Sequence, residues 1–71
     1  MKVLVVGGGG REHAIASALA SSGSTVYAAM RNRNPGIAKL AKEFKLVKET
    51  DVSAVVDFAL SMGVEMAVIG P

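Results

Sequence analysis

A run of glycines, Gly7–Gly10, follows directly after the apolar segment Val3–Val6. Glycine has no Cβ, so the backbone N–H groups of such a run can approach a ligand closely. A helix that begins after the run adds unpaired N–H groups and a partial positive charge, which makes an anion the expected ligand. The alternative is a strand–helix turn that binds nothing, but such a turn requires fewer glycines than the four present here.

Three side chains that can do chemistry come next in the chain: Arg11, Glu12 and His13. An arginine beside glycine N–H groups can hold a phosphate through two parallel hydrogen bonds. Glu12 suits the positive end of a helix and can accept hydrogen bonds from hydroxyls or an amine, and His13 can donate to a phosphate oxygen. Each also has an ordinary explanation: Arg11 as a solvated side chain, Glu12 as a partner of the helix dipole and His13 as a packed polar residue. Their position together behind the glycines favours a binding site.

The glycine run departs from the known nucleotide-binding loops. In either register of the dinucleotide pattern G-x-G-x-x-G, Glu12 or His13 stands where the third glycine is required. The acidic residue that would bind ribose hydroxyls is missing after the second apolar run, where Arg31 stands. Arg31 and Arg33 are candidates to receive the 2′-phosphate of NADP, so an NAD(P)-binding Rossmann module stays open as an alternative. The Gly-Lys-Ser/Thr of a Walker A loop is absent.

Apolar runs alternate with helical spacings along the chain. Continuous apolar runs are typical of strands buried in a parallel sheet, and they predict strands at 3–6, 25–30, 46–47 (extended by Lys45 and Lys48) and 64–69. Capping residues predict helices from about Arg11 to Gly23, from Pro35 (capped by Asn34) to Phe44, and from Thr50 or Asp51 to Gly63. The expected buried faces are Ile15, Ala18, Leu19 and Ser22, then Ile37, Leu40, Ala41 and Phe44, then Val52, Val55, Val56 and Ala59.

The order βαβαβαβ, with strands about 20 residues apart, predicts an α/β fold with a Rossmann-like parallel sheet. We expect the strand order 3-2-1-4 in a three-layer α/β/α arrangement. Strands 1 and 4 are then neighbours whose helices lie on opposite faces, and a ligand crevice forms at their carboxyl ends. Gly7–Gly10 and Gly70-Pro71 are expected to line this crevice.

Composition excludes several classes of protein. The chain of 71 residues is enough for one small domain, and its 51% hydrophobic and 20% charged residues are typical of globular proteins. The apolar runs are too short to span a membrane, and a net charge of +2 is too small to indicate a nucleic-acid partner. The absence of cysteine agrees with a cytoplasmic protein. A core this small and aliphatic suggests part of a longer chain.

Three stretches resemble the phosphoribosylamine–glycine ligase family, also called glycinamide ribonucleotide synthetases. The run from Val5 to Ala14 resembles the family's opening strand followed by G-x-G-G-R-E-H-A. Asn34–Ala38 is similar to the family's loop after the second strand, in the form N-P-G. Asp51–Pro71 is similar to the helix and strand that lead into the family's G-P-E motif. The resemblance covers essentially the whole chain, and the G-G-R-E-H string is its specific part.

The resemblance implies a cytoplasmic enzyme of purine biosynthesis in the ATP-grasp superfamily. Such an enzyme joins glycine to 5-phosphoribosylamine with ATP and Mg²⁺, through an acyl phosphate of glycine. Its ATP and metal ligands lie on later domains, so residues 1–71 are expected to bind neither, to form the amino-terminal part of a pre-ATP-grasp domain, and to be inactive alone. The expected partners are the two small substrates and the remaining domains of the same polypeptide.

The resemblance also implies which residues surround the substrate. It assigns the glycine loop to the phosphoribosyl side of the active-site cleft, without a catalytic residue or a metal ligand in this chain. The substrate-binding residues expected are Gly8, Gly9, Gly10, Arg11, Glu12, His13, Asn34, Pro35, Gly36, Gly70 and Pro71. A non-catalytic interaction domain, whose glycine loop binds nothing, is the remaining alternative.

Overall fold

Strands and helices alternate along the chain in the computed structural model, which describes residues 1–70. The elements are β1 Lys2–Val6, α1 Gly10–Ser21, β2 Thr25–Met30, α2 Pro35–Leu40, β3 Glu43–Leu46, α3 Val52–Met62 and β4 Met66–Ile69. All strand pairs are parallel, and the sheet order is β3-β2-β1-β4. The predicted α/β fold class and the predicted strand order are confirmed. The predicted site residue Pro71 lies outside the described residues.

The first strand lies at the centre of the sheet because it is apolar along nearly its whole length. β1 pairs with β2 on one side, from Lys2 opposite Thr25 to Val6 opposite Ala29, and with β4 on the other side. The segment Val3–Val6 is buried throughout. Burial of each of these side chains stabilises the fold by roughly 1.5–3 kcal/mol relative to exposure.

The helices cover both faces of the sheet. On one face, Ala16 of α1 and Ile37 of α2 pack against alternate residues of β1 and β2. On the other face, Phe58 of α3 packs against the intervening residues, among them Leu4 and Tyr27. The structure therefore has the predicted three layers. Since β1 and β4 are neighbours and α1 and α3 lie on opposite faces, the carboxyl ends of β1 and β4 form the predicted topological switch point.

The boundary between α2 and β3 differs from the prediction. The second helix ends at Leu40 rather than Phe44, and the third strand is Glu43–Leu46 rather than residues 46–47 with their lysine neighbours. The Lys42 N–H donates to the Val26 carbonyl oxygen at 2.8 Å and so begins the pairing with β2. Phe44 still packs in the core cluster around Ile37, but from a strand. Local apolar spacing cannot reveal pairing with a distant strand.

The buried faces of two helices are rotated from those predicted. In α1, Ala16 is buried while Ala18 and Ser22 are exposed. In α3, Phe58 is the buried residue, while Val52 at the start of the predicted face is 68% exposed. The rotation of each helix about its axis is set by the side chains that contact the sheet, a small alanine in α1 and a large aromatic ring in α3. Helical periodicity alone does not specify that angle.

The helix ends agree with the predicted capping residues. Asn34 precedes α2 with Pro35 as its first residue, and Asp51 Oδ1 accepts a hydrogen bond from the Ala54 N–H at 3.2 Å at the start of α3. Gly63 ends α3 with a φ of 68°, the left-handed conformation that glycine adopts most easily. No helix within residues 1–70 is long and apolar enough to cross a membrane.

Candidate functional site

The glycine loop connects β1 to α1 at the carboxyl edge of the sheet. Gly7 extends the pairing of β1, because its N–H donates to the Ala29 carbonyl oxygen at 2.8 Å. Its φ of 124° lies in the region that favours glycine, and a Cβ there would stand 2.9 Å from the Glu12 carboxyl carbon. Gly7 is therefore required both by its backbone conformation and by the space that Glu12 occupies.

The amino-terminal turn of α1 offers hydrogen-bond donors to an anion. α1 begins at Gly10 after the N-cap residue Gly9, and its first bond runs from the His13 N–H to the Gly9 carbonyl oxygen at 3.0 Å. Within residues 1–70, the N–H groups of Gly10 and Arg11 have no backbone acceptor. The Arg11 side chain is exposed at the same turn. Free N–H groups, the positive end of the helix dipole and a guanidinium thus lie together.

The Glu12 side chain folds back beneath the glycine loop and is only 8% exposed. Its Oε1 accepts a hydrogen bond from the Gly9 N–H at 2.9 Å, as the third residue of a helix does in a capping box. A Cβ on Gly70 would stand 2.6 Å from the Glu12 Oε2. The carboxyl group therefore lies between the ends of β1 and β4. A dinucleotide loop keeps a glycine here for close packing of helix and strand, so Glu12 disfavours NAD(P) binding.

Asn34 joins the start of α2 to the glycine loop. Its Oδ1 accepts hydrogen bonds from the N–H groups of Gly36 at 3.0 Å and Ile37 at 3.2 Å. These two bonds fix which side-chain atom of Asn34 is the oxygen and which is the nitrogen. The nitrogen, Nδ2, donates to the Gly8 carbonyl oxygen at 2.9 Å. The cap of one helix therefore also holds the loop that precedes another helix.

His13 packs against the first turn of α2. A Cβ on Gly36 would stand 2.5 Å from the His13 Cε1 and Nε2 atoms, so the imidazole lies directly on the glycine backbone. His13 is half-buried, whereas the neighbouring Pro35 is exposed. The ring thus packs α1 against α2, and Gly36 leaves the room that this contact requires.

An open cleft of ≈ 520 Å³ lies beside the glycine loop and is lined by Gly8, Gly9, Arg31, Asn32 and Glu49. The Arg31 N–H donates to Glu49 Oε2 at 2.8 Å, which joins the end of β2 to the loop after β3. The sequence indicates Arg31 as a candidate to bind a 2′-phosphate, but it does not point to Asn32 or Glu49 as lining residues. The signal available was topological, because both follow strands whose carboxyl ends meet at the edge where the glycine loop lies.

The structure brings most of the predicted site residues together at this edge. The glycine loop, Glu12 and Gly70 meet at the ends of β1 and β4, while Asn34 and Gly36 reach the loop from α2. Glu12, His13 and Asn34 make contacts within the protein, and Arg11 stays exposed.

The described part of the chain does not supply a metal centre. Residues 1–70 contain no group of three or more His, Cys, Asp or Glu side chains placed to hold a metal ion. The two carboxylates nearest the cleft, Glu12 and Glu49, each accept a backbone N–H. The described residues therefore do not fit a Mg²⁺–nucleotide site.

Comparison with protein families matches the whole chain to one family. Residues 1–71 match the model described as "Phosphoribosylglycinamide synthetase, N domain". The match spans the glycine loop, the Asn34 turn and the strand that ends beside Gly70.

Curated relatives agree with that match. The chain is 55% identical over 71 residues to a phosphoribosylamine–glycine ligase of Pyrococcus horikoshii, of which it covers 16%. It is 58% identical over 72 residues to the ligase of Methanoregula boonei, covering 17%, and 58% identical over 71 residues to that of Thermococcus kodakarensis, covering 16%. In each case all of this chain is aligned. The chain thus spans about one-sixth of the length of these relatives.

Proposed function

This chain belongs to the phosphoribosylglycinamide synthetase N-domain family, and on that premise we propose that it serves a ligase that joins glycine to 5-phosphoribosylamine. In this proposal it is the amino-terminal part of a pre-ATP-grasp domain and contributes the phosphoribosyl side of the active-site cleft. The single observation that carries the proposal is the family match over residues 1–71. The proposed ligase would act in purine biosynthesis in the cytoplasm.

The first turn of α1 is the proposed binding site for the substrate's phosphate. The exposed Arg11 guanidinium and the N–H groups of Gly10 and Arg11 supply the donors that a phosphate dianion needs. The cleft lined by Gly8, Gly9, Arg31, Asn32 and Glu49 continues from this turn and is large enough for a ribose. Asn34–Gly36 and Gly70 complete the proposed site, and Pro71 stays a prediction from the sequence because it lies outside the described residues.

ATP and Mg²⁺ belong to other parts of the proposed ligase. ATP would supply the energy for forming the amide bond, and Mg²⁺ would bind its phosphates. Residues 1–70 hold no cluster suited to a metal ion, and the chain has no Walker A sequence. We therefore propose that this chain binds and orients the phosphoribosyl substrate while later domains carry out phosphoryl transfer.

The two alternatives are weaker. An NAD(P)-binding module is opposed by the buried Glu12, whose carboxyl group occupies the place of the third glycine. A non-catalytic interaction domain does not account for the identity of 55% with a ligase along the whole chain.

The test is an assay of the complete gene product. We expect ADP release that requires glycine and 5-phosphoribosylamine together, with glycinamide ribonucleotide as the product detected by mass spectrometry. The matched controls omit one substrate at a time. A folded gene product that releases no ADP with all substrates present, or that binds NADP at micromolar concentration, would contradict the proposal.

A further inference from the structure

Two side chains from different elements hold the Gly8–Gly9 peptide unit at both of its polar atoms. The Gly8 carbonyl oxygen accepts a hydrogen bond from Asn34 Nδ2 at 2.9 Å. The Gly9 N–H donates to Glu12 Oε1, also at 2.9 Å. Because the C=O and N–H of one trans peptide point in opposite directions, this pair of bonds fixes the plane of the peptide.

The same two partners select one orientation of that peptide. An ionised carboxylate only accepts hydrogen bonds, so it would repel the Gly8 carbonyl if the peptide turned over. The Asn34 NH₂ group only donates, and it would then meet the Gly9 N–H. Two adjacent glycines offer little steric resistance to such a rotation. Asn34 and Glu12 therefore supply the rigidity that the glycine loop itself lacks.

The polar atoms of Asn34 and Glu12 form their hydrogen bonds with other groups of the protein. Asn34 Oδ1 already accepts the N–H groups of Gly36 and Ile37, and Glu12 is 8% exposed with its carboxyl group between Gly7 and Gly70. Side chains that are held in this way are better suited to orienting the glycine loop than to binding the substrate directly.

We propose that Asn34 and Glu12 are positioning residues that clamp the Gly8–Gly9 peptide and so hold the first turn of α1 in its phosphate-binding geometry. This inference rests on the proposed function of the same loop. With the clamp closed, the Gly8 carbonyl stays bound to Asn34, and the N–H groups of Gly10 and Arg11 are available to an anion. With the clamp open, the Gly8–Gly9 peptide can rotate, and the N–H groups of the adjoining helical turn lose their fixed position.

The variant Asn34→Asp removes the hydrogen bond to Gly8 but keeps the cap of α2, so it tests the two roles of Asn34 separately. An aspartate retains the acceptor for the Gly36 and Ile37 N–H groups and is an equally good N-cap, but it places an acceptor against the Gly8 carbonyl. We expect the KM for 5-phosphoribosylamine to rise about tenfold in the complete gene product, since one hydrogen bond is exchanged for repulsion. The KM values for ATP and glycine should not change.

A second variant and a matched control complete the experiment. Asn34→Ser keeps a capping oxygen without reaching Gly8, and we expect a smaller rise in the same KM, about threefold. Asp51→Asn makes the reverse exchange at the cap of α3, where Asp51 Oδ1 accepts from the Ala54 N–H and not from the glycine loop, and it should leave all KM values unchanged. If Asn34→Asp does not fold, the serine variant decides.

Deuterium exchange of residues 7–12, measured without substrate, provides a readout that does not depend on activity. We expect faster exchange in both Asn34 variants and wild-type exchange in Asp51→Asn. Unchanged exchange in the Asn34 variants would overturn the clamp, and faster exchange with an unchanged KM would overturn its positioning role. Absence of ligase activity in the wild-type protein would instead remove the proposed function, while the exchange data would still decide whether the clamp exists.

Discussion

Three consecutive residues at the start of α1 lie in three different environments. Arg11 is exposed, Glu12 is buried under the glycine loop, and His13 packs against Gly36. In the sequence all three are candidate substrate-binding residues. Their contacts separate them, because Glu12 and His13 are held by the protein whereas the Arg11 guanidinium remains exposed. At this scale Arg11 is the side chain best placed to bind substrate.

Replacement of Arg11 by alanine tests that assignment. In the complete gene product, Arg11→Ala should raise the KM for 5-phosphoribosylamine by roughly 10- to 100-fold, because a hydrogen bond from a charged donor is lost. The KM for ATP should stay near the wild-type value. Lys39→Ala is the matched control, since it removes one exposed positive charge from the last turn of α2. Equal KM values for Arg11→Ala and Lys39→Ala would exclude Arg11 from the site.

Among the elements, α2 depends most on its neighbours. It has six residues, and a helix of that length is not stable alone in water. Three interactions hold it: the Asn34 cap, the buried Ile37 side chain and the His13 ring that lies on Gly36. The position of the His13 ring against α2 therefore leaves no room for a Cβ at position 36.

Alanine substitutions at two glycines test this requirement. Gly36→Ala should lower the free energy of unfolding by about 1 kcal/mol, because a Cβ 2.5 Å from Cε1 and Nε2 would force the half-buried His13 ring to move away from α2. Gly10→Ala is the matched control: a Cβ there meets nothing within 4 Å, and alanine in a helix is favoured over glycine by about 0.5–1 kcal/mol. Urea unfolding of both variants measures the difference. A Gly36→Ala variant as stable as Gly10→Ala would contradict the proposed contact.

At the scale of the whole molecule, the two sides of α3 differ. Val55 packs against the core cluster around Phe58, whereas Val56 is 47% exposed and Leu60 is 74% exposed. Ile69 of β4 is 73% exposed, and a groove of ≈ 240 Å³ lies between α3 and the sheet, with Val56 and Ile69 in its lining. An apolar surface of this kind favours association in water.

Lysine substitutions at adjacent valines distinguish this surface from the core. Residues 1–71 on their own should self-associate, and Val56→Lys should reduce the association with little loss of stability. Val55→Lys, one residue away, should destabilise the chain by about 2–3 kcal/mol, because a charge replaces an apolar side chain packed on the core. Sedimentation velocity and urea unfolding measure the two effects. A monomeric wild-type chain would contradict the expected self-association. Equal stability of Val55→Lys and Val56→Lys would contradict the expected difference between core and surface.

The sequence by itself determined the order of elements, the parallel sheet in the order 3-2-1-4 and the position of the glycine loop at its carboxyl edge. These features follow from local signals: uniformly apolar runs such as Val3–Val6, caps such as Asn34 and Asp51, and the handedness of crossover connections. The family resemblance carried by G-G-R-E-H is confirmed by the match over residues 1–71.

Only the tertiary structure decided where α2 gives way to β3, which side of α1 is buried and what the site residues contact. Lys42 bonds to Val26, Asn34 reaches Gly8, and the Glu12 carboxyl group lies against Gly70. Each of these contacts joins residues that belong to different elements. Their energies depend on how the elements pack rather than on neighbouring residues in the chain, and for that reason periodicity and capping rules do not contain them.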